Sequence, residues 1–238
     1  MGLWLITAAL LAAGENEIDV DGVHIVHSGK AEESAANTTQ SAEVLRSVKP
    51  DLIFLEWQPT DWLEALNGFP ACGKPADVIK RWRKFYANNA AQYPWLATAG
   101  EVITALESEW ATGHQVYVLP FDGPQELTAS TENRPGLGNA VWIFLRERFM
   151  IERLRHPGVE THGKTALVLC HDFHWQNLRF LLQKPTAEQI WLHYFGPLSS
   201  PVKSRAEVER ELAAGSPTLW KYWRQWANHA ADPAAPHE

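Results

Sequence analysis

Hydrophobic positions along the chain fall into two patterns. Short, nearly uninterrupted apolar runs occur at Val23-His24-Ile25-Val26, Leu52-Ile53-Phe54-Leu55, Val116 to Phe121 and Ala166 to Leu169. Runs of this kind, bounded by turn residues, predict strands buried on both faces of a parallel sheet. Ile190 to Phe195 is expected to be a last strand. Between the runs, apolar positions recur at helical spacing over Ser41 to Val48, Thr60 to Leu66, Asp77 to Ala91, Gly100 to Thr112, Ala140 to Leu154, Gln176 to Leu182, and onward from Arg205. Gly113 stops the fourth of these, and Lys49-Pro50-Asp51 marks a turn. Gly68 to Pro75 and Thr128 to Gly138 are expected as loops. Strands alternating with helices predict an α/β fold, a mostly parallel central sheet flanked by helices. The helical stretches Asp77 to Thr112 and beyond Arg205 are expected to form a lid or cap. No linker divides the chain, so residues 1–238 are taken as one domain, with a core over 15–200, a C-terminal helical segment over 205–231 and a frayed tail after it.

Composition narrows the class. The chain has 238 residues, 45% of them hydrophobic and 21% charged, which excludes a disordered, collagen-like or coiled-coil protein. Its net charge of −7 argues against a nucleic-acid binder, which needs a basic stripe to meet phosphates. The short cluster Lys80-Arg81-Trp82-Arg83-Lys84 reads as a solvated helix face. Cys72 and Cys170 lack C-x-x-C spacing, so no thiol-redox or zinc-ribbon motif exists, and Cys170 reads as a buried strand residue. Tryptophan is unusually frequent, at 12, and Trp220, Trp223 and Trp226 recur at core-forming helical spacing. The apolar run Leu3 to Ala13 resembles the core of a secretory signal, but no Lys or Arg precedes Lys30. The run is also shorter than the about 20 residues of a membrane span. The expectation is a buried first helix and a cytoplasmic protein without a membrane partner. Export is the alternative if residues 1–13 act as a signal.

Chemistry gathers at the strand ends. In open α/β sheets ligands bind beyond the carboxyl ends of the strands. Here His27, Glu56, Asp122 and the pair His171 and His174 follow predicted strands. Unpaired buried charge is costly, so several ionisable residues on one edge indicate a site. His171-x-x-His174, with His27 and Glu56, forms a candidate mixed nitrogen and oxygen set for zinc or manganese. The alternative is no cofactor at all, with a neutral imidazole acting as general base beside an orienting carboxylate. G-x-S-x-G, G-x-G-x-x-G, the P-loop and H-E-x-x-H are all absent.

The motif order resembles a known superfamily. Val48-Lys49-Pro50-Asp51-Leu52-Ile53-Phe54-Leu55-Glu56 is similar to the second strand of the TraB, TIKI, ChaN-like and erythromycin-esterase proteins. Gly100-Glu101-Val102-Ile103-Thr104-Ala105-Leu106, then Gly113 and the strand to Asp122, is similar to the TraB pattern. Arg146-Glu147-Arg148-Phe149-Met150 resembles the R-D-R-x-M of the esterase branch, and His171-Asp172-Phe173-His174 resembles its A-H-N-x-H. The order holds over about residues 22–182. The chain departs from the pattern in two places. His27, with Glu32 or Glu33 as the acidic residue after it, stands for the family's strand-one histidine motif, with Lys30 the alternative match. Asp172 and Phe173 replace Asn and a small residue. The resemblance implies an α/β fold with its site at the strand ends. It also implies functions ranging from macrolactone hydrolysis with a histidine base, through metal-dependent peptide cleavage, to binding of haem or iron.

The leading expectation is an enzyme that hydrolyses an ester, lactone or amide bond of a small-molecule or peptide substrate. His27 would be the base and Glu56 would orient it. His171 and His174 would hold the substrate carbonyl or a metal, and Arg146 would stabilise the oxyanion. Asp122, Lys30 and Trp175 complete the substrate-binding set with His174. Arg146 is preferred to Arg148, which points about 200° around the same helix. The alternatives are a cyclase or lyase acting on a bulky apolar intermediate, and a haem- or metal-binding module without turnover. Oligomeric state is not legible in the sequence.

Overall fold

The structure, a computed structural model, describes residues 16–27, 43–56, 108–109, 112–114, 116–132, 136–198 and 202–230. The stretches Leu3 to Ala13, Thr60 to Leu66, Asp77 to Ala91, the basic cluster 80–84, Cys72 and Lys30 lie outside the described residues, as do most of Gly100 to Thr112 and the tail.

Five strands form one sheet in the order β1-β2-β5-β3-β4. Their bounds are β1 Glu17–Val20, β2 Val23–His27, β3 Leu52–Leu55, β4 Tyr117–Pro120 and β5 Thr165–Leu169. β2, β5, β3 and β4 are parallel, and β1 pairs antiparallel with β2 at the edge. The α/β class and the mostly parallel sheet are therefore present. β1 did not stand out by hydrophobicity, because its Glu-Ile-Asp-Val alternates exposed and half-buried positions. Its signal was the turn. Asp21 and Gly22 both have positive φ, 49° and 84°, as a two-residue hairpin turn of this hand requires. A Cβ on Gly22 would lie 2.4 Å from the His162 ring, so glycine is needed twice over.

The helices are α1 Gln125–Thr128, α2 Leu137–Arg155, α3 Asp172–Leu182, α4 Ala187–Phe195, α5 Arg205–Gly215 and α6 Pro217–Ala230. A further helical stretch covers residues 43–48. The expected strand over Ile190 to Phe195 is instead the body of α4. Thr186 caps that helix, accepting from Gln189 N while the Gln189 side chain reaches back to the Thr186 N–H. This reciprocal cap nucleates a helix before the apolar residues are reached, and overrides their strand-like composition. Helix α2 begins at Leu137 and α1 occupies the start of the expected loop, so the polar stretch between them is shorter than foreseen. Helix α3 begins at Asp172, which draws His174 off the strand end and into a helix.

One face of the sheet carries Ile25, Leu52, Phe54, Ala166 and Val168, and they join a single core with α2, α3, α4, α5 and α6. Phe144 of α2 packs against Tyr194, Phe195, Trp223 and Trp226 within that core. The C-terminal helices bury Val208, Leu212, Leu219 and Trp223 there, so the segment from Arg205 is part of the core layer and not a cap over it. Residues 26, 53 and 167 alternate with the first set and are also buried, as the uninterrupted apolar runs required.

Candidate functional site

The parallel strands end on one edge of the sheet, and the period-two pleat decides what faces the helices. Glu56 follows Leu52 and Phe54 at the same parity, so its carboxylate emerges on the core face. Its backbone N–H continues the ladder to Leu169 O at 3.0 Å. On the neighbouring strand β5, the chain leaves the sheet at Cys170 and turns into α3. His171 is the residue that caps α3, in extended conformation, with no side-chain hydrogen bond of its own to the helix. Glu56 Oε2 accepts the His171 backbone N–H at 2.8 Å and its ring Nδ1–H at 2.9 Å. A carboxylate can only accept here, so Nδ1 carries the proton and the lone pair of the neutral ring lies on Nε2. The His171 side chain is 37% exposed, whereas that of Glu56 is 8% exposed.

Arg146 of α2 closes the other side. Its Nη2 donates to Glu56 Oε1 at 3.0 Å, and its Nε and Nη2 form a fork on Asp122, at 2.9 and 2.6 Å. Asp122 Oδ1 also accepts Gly123 N–H. The guanidinium carbon lies 4.5 Å from the centre of the Trp142 ring. Arg146 thus pairs with both Glu56 and Asp122, while Arg148 stands among Glu152, Arg155 and Tyr194. Burial by itself would raise the Glu56 carboxyl. The His171 donors and the nearby His174 ring and Arg146 charge outweigh it and hold Glu56 far below the usual carboxylate range. Burial likewise disfavours the charged guanidinium, and Asp122 and Glu56 outweigh that, so Arg146 is held more firmly protonated than usual.

His174 is fully buried one turn into α3. Its Nδ1 lies 2.7 Å from Glu147 Oε1. Its Nε2 is 3.3 Å from Glu56 Oε1, near enough for charge attraction but outside hydrogen-bond geometry. Burial opposes protonation of this ring, but Glu147 and Glu56 together overcome it and raise its pKa. Glu147 also accepts from Asn177 Nδ2 at 2.9 Å and Tyr194 OH at 2.5 Å. The ring of Phe173, itself 45% exposed, sits 3.9 Å from that of His174.

The structure does not pair His27 with Glu56. Strand β5 lies between β2 and β3, so the two residues stand two strand spacings apart, roughly 9.6 Å. His27 Nε2 instead donates to Cys170 O at 2.9 Å, its ring stacks on Trp175 at 5.0 Å, and Nδ1 is 3.8 Å from Asp172 Oδ1. The side chain is fully buried, and that burial pushes its pKa down. Glu56 orients His171, not His27. The expected substrate contacts shift as well. Trp175, His174 and Asp122 are all buried against internal partners, and the exposed aromatic ring beside the site is Phe173. Lys30 falls outside the described residues. Sequence reasoning did not include Glu147 among the site residues. It is fully buried, and its place between two arginines in Arg146-Glu147-Arg148 gave no local sign of that.

Among the described residues, no group of three or more His, Cys, Asp or Glu side chains is arranged to hold a metal ion. The donor chemistry accounts for this. Glu56 is committed to Arg146 and His171, His27 Nε2 to a carbonyl, and His174 to Glu147. The zinc or manganese set drawn from His27, Glu56, His171 and His174 therefore does not converge on one point. Among the described residues, no helix is long and apolar enough to cross a membrane. Compared with protein-family models, with curated proteins and with solved structures, the chain matches none.

Proposed function

We propose that the chain is an acid/base enzyme of the esterase-like kind, hydrolysing an ester, lactone or amide, with His171 as its general base. The observation that carries this reading is the 2.9 Å contact between Glu56 Oε2 and His171 Nδ1 at the carboxyl edge of the sheet. An ionised carboxylate on Nδ1 keeps the lone pair on Nε2 and stabilises the imidazolium that forms when Nε2 takes a proton. In the proposed step, His171 Nε2 removes a proton from water as the oxygen attacks the substrate carbonyl carbon. The same nitrogen then returns the proton to the leaving oxygen or nitrogen as the C–O or C–N bond breaks. Arg146 serves by holding Glu56 ionised and in place, because its donors are engaged by Asp122 and Glu56. Exposed Phe173 beside the dyad favours an apolar group next to the scissile bond.

The test is a panel of aryl esters, lactones and peptide amides with wild type, His171→Ala and Glu56→Gln. Wild type is expected to turn over at least one class, and His171→Ala to lose about 10²- to 10⁴-fold with its melting temperature kept. Equal rates in wild type and His171→Ala would overturn the assignment. An inactive wild type carrying a Soret band or stoichiometric metal would point to a binding module instead.

A further inference from the structure

Glu147 is a fully buried carboxylate, and its only ion-pair partner among the described residues is His174. Its other donors, Asn177 and Tyr194, are neutral. A buried carboxylate with one titratable partner draws that partner into its charged form. His174 then stands as an imidazolium between Glu147 on one side and Glu56 on the other, at 2.7 and 3.3 Å.

We propose that Glu147 is a positioning residue for the Glu56–His171 pair, acting through His174. The inference rests on the reading of His171 as the base and deepens it. The buried cluster holds three carboxylates, Asp122, Glu56 and Glu147, against two cations, Arg146 and His174. Glu56 therefore faces a cation on each side, Arg146 from α2 and His174 from α3. That charge limits how strongly Glu56 draws a second proton onto His171. The other titratable or charged groups facing this region are Asp172 from α3, the neutral His27 from β2, the buried Cys170 thiol after β5, Arg148 of α2 beside Tyr194, and the Tyr194 hydroxyl from α4. None of these replaces the charge of His174.

Neutralising Glu147 releases the His174 proton. The lost cation is nearer to His171 than the lost anion, because Glu147 reaches the site only through His174. The His171 imidazolium becomes more stable and its titration moves to higher pH. A residue that only packed the core would lower stability and leave that titration in place.

The experiment is a proton–nitrogen NMR titration of the full chain, which needs no substrate. In wild type the His174 ring is expected to be doubly protonated at neutral pH. Glu147→Gln is expected to abolish that signal and move the His171 titration up by half a pH unit or more. The acid limb of kcat/KM should move with it, and Glu147→Asp should restore the wild-type position. If Glu147→Gln does not fold, His174→Gln carries the same test, since it removes the cation and keeps a donor. A neutral His174 in wild type, or an unmoved His171 titration in the variants, would overturn the role of Glu147. A shifted titration in a protein inactive on every ester, lactone and amide would leave that role standing and remove the hydrolase reading.

Discussion

Glu56 Oε2 receives two hydrogen bonds from one residue, the backbone N–H of His171 at 2.8 Å and its ring Nδ1–H at 2.9 Å. The first fixes where the chain leaves β5, and the second fixes the tautomer of the ring. One oxygen thus ties the sheet edge, the start of α3 and the candidate base together. Its sister oxygen is held by Arg146, so the carboxylate cannot rotate without breaking both sets of contacts.

Arg146 is expected to be the most costly single truncation at the site. Removing one partner of a buried ion pair leaves uncompensated charge, here on Asp122 and Glu56, at about 3–5 kcal/mol. Arg146→Ala should lower the urea midpoint accordingly. Arg146→Lys should lower it less but also impair turnover, because an ammonium cannot reproduce the fork on Asp122 while reaching Glu56. An Arg146→Ala protein as stable as wild type would contradict the geometry.

His27 and His171 should separate stability from activity. His27 is buried, donates to Cys170 O and stacks on Trp175, so His27→Ala should destabilise by about 1–3 kcal/mol through the lost bond and the cavity. His171 is partly exposed, and its backbone N–H stays on Glu56 whatever its side chain, so His171→Ala should cost less than about 1 kcal/mol. Thermal melts of the two variants beside the ester assay decide it. The reverse order would restore His27 as the base.

Two histidines set opposite pH limits. The folded state holds His174 with a raised pKa, so it binds more protons there than the unfolded chain does. That contribution is complete below the ordinary value of 6.5 and is lost as pH rises through the raised one. His27 has a lowered pKa, so the unfolded chain takes up its proton first as pH falls below 6.5, and stability declines on the acid side. Urea midpoints at about pH 5, 7 and 9 should be highest in the middle. His27→Gln should flatten the acid slope, and Glu147→Gln the alkaline one. Unchanged slopes in both variants would argue against these assignments.

The β1–β2 turn offers a check far from the site. Gly22→Ala places a side chain at positive φ and against the His162 ring, and should destabilise by at least about 1 kcal/mol. A neutral effect in thermal melts would mean that the turn or the ring relaxes freely.

Local pattern carried much of the fold. The apolar runs 52–55 and 166–169 are strands, the helix around Arg146 forms, and the C-terminal tryptophans enter the core, because burial periodicity is written residue by residue. Two elements were readable but outweighed. Asp21-Gly22 announced the hairpin, and Thr186 with Gln189 announced α4, yet the polar edge strand and the apolar run 190–195 argued more loudly for other states.

The sequence by itself determined that His27, Glu56, Asp122 and His171 would end up on one edge of a parallel sheet. Every parallel strand presents its carboxyl end there, and each residue ends or follows an apolar run that forms such a strand. Which of them touch was decided by tertiary structure alone. Strand β5 inserts between β2 and β3, so Glu56 meets a histidine more than a hundred residues away and not the one on β2. Strand order depends on how helices pack across the sheet, and no local spacing of apolar and polar residues records it. The burial of Glu147 has the same origin. On a lone helix it sits among arginines like any surface charge, and only the docking of α3 and α4 brings His174, Asn177 and Tyr194 to it.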